Sequence, residues 1–164
     1  MNAEKVFHII EPEFDADSRV LILGTIPSPK SRETGFYYGH PQNRFWKVLS
    51  AILNCTVPQS NDEKREFLHK NHIALWDVLA SCMIENAADT SIREPKANDM
   101  NIIFREADIR GVFATGKKAY DLYNRLCPEA KNHPAVCLPS TSPANCRFSL
   151  EELIRYYSCI KEFL

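Results

Sequence analysis

No stretch of this chain approaches the eighteen or so uninterrupted apolar residues of a membrane-spanning helix, and no apolar segment follows a basic start as in a secretory leader. The expectation is a cytoplasmic protein with no membrane partner. An excess of one charge is missing too. Twenty Lys and Arg against 21 Asp and Glu leave a formal net charge of −1, so the molecule as a whole is no electrostatic attractor for polyanions. The six cysteines, Cys55, Cys82, Cys127, Cys137, Cys146 and Cys159, lack the close paired spacing of zinc or iron–sulfur sites and read as reduced thiols. The five histidines show no metal-ligand spacing either, so neither a metal nor another cofactor is expected. Repeats and low-complexity tracts are absent, as is the G-x-S-x-G of a nucleophilic serine elbow. Gly111 to Lys118 nearly matches a phosphate-binding loop. Lys118 stands where Ser or Thr is required, however, and the intervening residues read as a strand, which excludes nucleotide hydrolysis of that type.

What is present is 164 residues at 45% hydrophobic content, enough for one domain, residues 1–164, with a sizeable core. Four apolar segments read as buried strands: Val20 to Gly24, Ile73 to Val78, Gly111 to Thr115 and Ala135 to Leu138. Helical patterns lie between them. Apolar positions Phe45, Val48, Leu49, Ile52 and Leu53 mark a helix, and Ser60 and Ser149 open capping boxes before Lys64 to His72 and the last helix. Asn98-Asp99 caps a helix through Glu106, and Lys117 to Leu126 has helical periodicity. The expected fold is α/β, a three-layer sandwich with a central four-stranded parallel sheet flanked by helices. Ser81 to Ala97 is the least regular segment and reads as an ordinary connection in preference to a lid or a DNA-facing loop. Ligands in open parallel sheets bind at the carboxyl edges, and all four predicted ends carry small or polar residues: Thr25 to Ser28, Trp76-Asp77, Thr115-Gly116 and Pro139 to Ser142.

The most informative stretch is Gly24 to Trp46, GTIPSPKSRETGFYYGHPQNRFW. With Leu138-Pro139-Ser140-Thr141-Ser142 and Asn145-Cys146-Arg147-Phe148 late in the chain, it resembles the two motifs of the uracil-DNA glycosylase superfamily. The likeness is to the mismatch-specific branch, whose first motif has the form G-x-N-P-[GS] followed by TGF and HPxNRFW. Ile26 stands where that branch has its catalytic Asn. The sequence is therefore most similar to the hypoxanthine-DNA glycosylase branch, which lacks the Asn. The resemblance implies a monomeric base-excision repair enzyme acting on DNA that holds a damaged or mismatched base, associated with the nucleoid in a prokaryote.

Such an enzyme must extrude a base, hold it in a closed pocket and stabilise the sugar as it becomes cationic. Thr25, Ile26, Pro27, Tyr38, His40 and Gln42 are the candidate base-binding residues. Tyr38 aligns with the stacking aromatic of the family, while Phe36, Tyr37 and Tyr38 read equally well as core. No pair of carboxylates of the glycosidase kind is recognisable. Loss of a nucleobase can proceed dissociatively, so an amide oxygen that positions water suffices, and Asn43 is the candidate catalyst. By position alone Asn43 is a helix N-cap. His40 reads as a base contact or as a structural residue bonded to a carbonyl, and Asp77 as a loop anchor in preference to a pocket group. Ser28, Lys30, Ser140, Thr141, Ser142, Asn145 and Arg147 are candidate DNA contacts. A polar turn before a capped helix also explains the last five. Lys30, Arg32, Arg44 and Lys47 against the single Glu33 suggest a local basic patch. Hypoxanthine is the favoured substrate, with uracil or mismatched thymine as further options. The reading from a different class is a non-catalytic domain that binds DNA lesions.

Overall fold

The computed structural model describes residues 3–164. Strands β2 (Val20–Gly24), β3 (Ile73–Asp77), β6 (Gly111–Thr115) and β7 (Ala135–Leu138) form a parallel sheet in the order β3-β2-β6-β7. β2 and β3 are buried at every position, which is why they read as continuous apolar runs instead of alternating ones. Register places Gly24 opposite Asp77 and Leu23 opposite both Trp76 and Ala114. The outer edge of β3 does not stay open, because Glu13 exchanges two backbone hydrogen bonds with Leu75, at 3.0 and 2.9 Å.

Helices α2 (Phe45–Leu53), α3 (Asn61–Lys70), α5 (Lys117–Leu126) and α6 (Leu150–Tyr157) flank this sheet. α2 buries Phe45, Trp46, Val48, Leu49 and Ile52 and packs on α6. The capping box at Ser149 and Glu152 forms at the start of α6, and Ser60 Oγ caps α3. α4 is shorter than the expected helix, running Asn101–Phe104 with Asp99 Oδ1 accepting from Asn101 N–H. One helix was not foreseen. α1 (Pro29–Thr34) replaces part of the expected loop; Ser28 caps it, Pro29 opens it and Gly35, at φ +80°, ends it. Only Ser31 of α1 is buried, so no apolar periodicity announces it.

The larger correction is a second sheet. β1 (Glu4–Phe7), β4 (Leu79–Ile84) and β5 (Arg93–Ala97) pair antiparallel in the order β1-β4-β5, so Ser81 to Ala97 is no plain connection. β5 is largely exposed, contains Pro95 and pairs irregularly, which leaves no alternating pattern to read. Only Val78 separates β3 from β4, and its N–H donates to Gly24 O at 2.8 Å. The chain therefore passes from one sheet straight into the other at the carboxyl edge of β3.

Candidate active site

A cavity of about 480 Å³ opens at the carboxyl ends of the parallel strands, within the size range of small-ligand pockets. Its wall includes Gly24 to Pro29 after β2, Asp77 after β3, Thr115 after β6 and Ser140 to Ser142 after β7. The four strand ends thus converge on one site. Ala87 to Asp89, at the tip of the β4–β5 hairpin, close a further side, so this segment does reach the site.

Tyr38 and Asn43 both reach this wall. Phe36 and Tyr37 are core residues, 1% and 2% exposed, whereas Tyr38 stacks one ring face on Phe45 with centroids 3.8 Å apart and planes 16° from parallel. Thr115 Oγ1 donates to Leu23 O, so the Tyr38 hydroxyl donates to Thr115 Oγ1, at 3.2 Å. Burial, and then the charge of Asp77, raise the phenol well above its usual range, which keeps it a donor. Tyr38 adopts φ +53°, a conformation that disfavours a bulky side chain by roughly 1–2 kcal/mol. Strain held at such a position is a common mark of a functional site.

Asn43 is tied into the start of α2 and into the loop after β7. Its Oδ1 accepts from the first backbone N–H of α2, that of Phe45, at 2.9 Å, and from Thr141 Oγ1–H at 2.8 Å; Arg44, between Asn43 and Phe45, is the N-cap residue. An amide oxygen has two lone pairs, so both are occupied. This corrects the expectation that the Asn43 oxygen positions water. The group it has left for the cavity is the Nδ2 donor.

His40 and Gln42 do not line the cavity, which corrects their assignment to base binding. Gln42 is exposed and its N–H donates to His40 Nδ1, while Asn43 N–H donates to His40 O. His40 is thus a local turn residue. Thr25, Ile26 and Pro27 do line the cavity, with Thr25 and Pro27 buried and Ile26 packed against the core.

The loop after β7 is held from the other side of the site by Arg44, which sequence reading counted only as surface charge. Arg44 N–H donates to Thr141 O, and its guanidinium donates to Phe148 O at 2.6 Å and Asn145 O at 2.9 Å. Asn145 Nδ2 donates to Ser140 O, so this side chain staples its own loop. Ser140 and Ser142 hydroxyls accept from backbone N–H groups of Ser142 and Ala144 and keep their own hydrogens to donate. Arg147 is exposed. The basic patch is weaker than its composition implies. Lys30 pairs with Glu33, Arg32 lies 3.8 Å from Glu4, and Arg44 is committed to carbonyls.

Deepest of the charged groups is Asp77, 4% exposed. Its Oδ2 lies 2.8 Å from His8 Nε2, the two side chains being 6% and 3% exposed. His8 follows β1, and its backbone N–H continues the β1–β4 ladder to Ala80 O. A carboxylate only accepts, so His8 Nε2 is the donor. Asp77 Oδ1 faces Gly24, where any Cβ would overlap it.

Among the described residues no group of three or more His, Cys, Asp or Glu is placed to hold a metal ion, and no helix is long and apolar enough to cross a membrane. Residues 11–159 match the family model described as the uracil DNA glycosylase superfamily. The chain is 34% identical over 138 residues to the hypoxanthine DNA glycosylase of Methanosarcina barkeri (strain Fusaro / DSM 804), covering 83% of this chain and 86% of that one. It is 33% identical over 137 residues to the protein of the same name from Methanosarcina acetivorans, covering 82% and 85%. The solution NMR structure of a candidate uracil DNA glycosylase from Methanosarcina acetivorans superposes with a TM-score of 0.76 at 28% identity, over 93% of this chain and 96% of that one.

Proposed function

Since the chain belongs to the uracil DNA glycosylase superfamily, we propose that it is a monofunctional DNA glycosylase that takes hypoxanthine out of DNA by hydrolysing its N-glycosidic bond. The observation that carries this reading is the cavity itself. It combines the Tyr38 ring, an amide donor on Asn43 and the hydroxyl-rich turn at Ser140 to Ser142, all at one sheet edge. The names of the Methanosarcina relatives favour hypoxanthine as the base.

On this reading the flipped base slides over Tyr38, where stacking contributes about 1–3 kcal/mol without selecting a particular base. Ile26 offers an aliphatic wall in place of the family amide. As the glycosidic bond lengthens, the sugar gains positive charge and the purine negative charge. Asn43 Nδ2 donates to the purine, and water is captured by the sugar cation. Ser140 and Ser142 on the cavity wall keep hydroxyl hydrogens suited to the phosphate oxygens of an extruded nucleotide, whereas Ser28 donates to Ser31 and the buried Thr141 to Asn43, so these two serve the wall itself. With Asn145 pinned to Ser140, exposed Arg147 is the better candidate for contact with the duplex. Ala144 on the same loop is exposed and reaches the cavity, a suitable place for filling the gap left by the base. The protein acts as a monomer on this reading.

The direct experiment uses labelled duplexes carrying hypoxanthine, uracil, mismatched thymine or xanthine, followed by alkaline cleavage at abasic sites. Hypoxanthine is expected to give the largest yield. Specific binding without any abasic product would instead make the protein a lesion-binding domain.

A further inference from the structure

Asp77, 4% exposed, is the most buried charged side chain of the cavity wall, while Asn43, Ser140 and Ser142 on the same wall are half-buried and so closer to solvent. A purine entering from DNA points its N9 outward, toward the sugar. The edge that travels deepest is therefore C6–N1–C2, and the buried carboxylate of the wall meets N1.

We infer that the Asp77–His8 pair reads the N1–H of the bound purine, with Oδ1 accepting that hydrogen and His8 serving as the positioning residue that occupies Oδ2. The inference rests on the glycosylase reading and deepens it. Three features of the pair support it. First, Asp77 is the buried carboxylate of the cavity wall, and His8 fixes its rotation from a strand of the other sheet, at 2.8 Å. Second, Gly24 is the residue opposite Asp77 in β2, and its missing side chain makes the room into which Oδ1 projects. Third, His8 already engages Oδ2, which leaves Oδ1 as the oxygen presented to the base. Hypoxanthine presents one donor on that edge, N1–H. Guanine presents two neighbouring donors, N1–H and the 2-amino group, which suit a carboxylate with both oxygens open. With His8 holding Oδ2, the fork of two open oxygens is no longer presented to that pair of donors. Adenine presents an acceptor at N1, which a carboxylate oxygen repels. Deaminated adenine is thereby separated from both normal purines by one buried carboxylate and the histidine that masks half of it.

The test compares kcat/KM on duplexes containing deoxyinosine with those containing the unsubstituted purine deoxyriboside, which keeps the ring but has a bare acceptor at N1. Differences in leaving-group lability cancel when the ratio is compared between variants. Asp77→Asn keeps the shape; His8 Nε2–H holds the amide oxygen and turns Nδ2 toward the base, a donor facing a donor. The inosine-to-purine ratio is expected to fall about 10- to 100-fold, as for loss of a hydrogen bond to a charged group. His8→Leu should lower the ratio as well, and His8→Gln, whose amide donates from a similar distance, should restore most of it. Equal loss on both substrates in Asp77→Asn, or an unchanged ratio in His8→Leu, overturns the inference, because a merely structural pair slows both reactions alike. If Asp77→Asn does not melt as a folded protein, the His8→Leu and His8→Gln comparison decides alone. A parent enzyme that excises neither base overturns the proposed function instead, so the two failures are distinct.

Discussion

Asn43→Asp is expected to fold as well as the parent yet excise hypoxanthine on the order of 100-fold more slowly, as when one preorganised donor to developing negative charge is removed. The substitution separates the two duties of the residue. One carboxylate oxygen still accepts from Phe45 N–H and Thr141 Oγ1–H, and a negative group just before the N-terminus of α2 suits the helix dipole. What changes is the group facing the cavity, where an acceptor replaces the Nδ2 donor beside a purine that is gaining electrons. Asn43→Ala makes the contrast, because it also removes the hydrogen bond to Phe45 N–H, at a cost of about 1 kcal/mol. Single-turnover excision and thermal melting on both variants check this. A full rate in Asn43→Asp would rule out the donor role.

Gly24→Ala is expected to be the most damaging single methyl group in the site. The new Cβ would overlap Asp77 Oδ1 and come within 3.2 Å of the Tyr38 hydroxyl. Neither neighbour moves freely, since Asp77 is tied to His8 and Tyr38 is clamped between Phe45 and Thr115. Overpacking of this kind costs roughly 1–3 kcal/mol, and the displacement would misplace both the stacking ring and the buried carboxylate. We expect at least about 100-fold loss in kcat/KM for hypoxanthine, following the sensitivity of catalysis to 1 Å shifts, with a lower melting temperature. Retention of most activity would mean that Asp77 and Tyr38 are not held where catalysis needs them.

The parallel sheet was legible because its central strand and β3 are buried on both faces, so Val20-Leu21-Ile22-Leu23 reads as strand with no help from context. The antiparallel sheet was not, because β1 and β5 lie at its edges and keep charged residues such as Glu4, Lys5, Arg93 and Lys96 in solvent. In the site, Tyr38, Asn43 and the Ser140 turn were legible as contiguous motifs. His40 and Gln42 belonged to the same motif but serve the turn that sets Asn43 in place. The groups that escaped are those joined only by folding. His8 meets Asp77 across 69 residues, and Arg44 grips carbonyls 101 and 104 residues away. Local composition carries no trace of such pairings. Asp77 itself looked like a loop anchor because a strand-end aspartate usually is one.

His8 hangs from β1, which has a neighbour on one side only. Outer strands open more readily than inner ones, through fluctuations far smaller than global unfolding. Warming should thus blur the choice between right and wrong base some degrees before the protein melts, detectable as excision of undamaged purines rising while circular dichroism is still flat. Fidelity and fold would then fail at separate temperatures, the first governed by a four-residue ribbon and the second by the whole core.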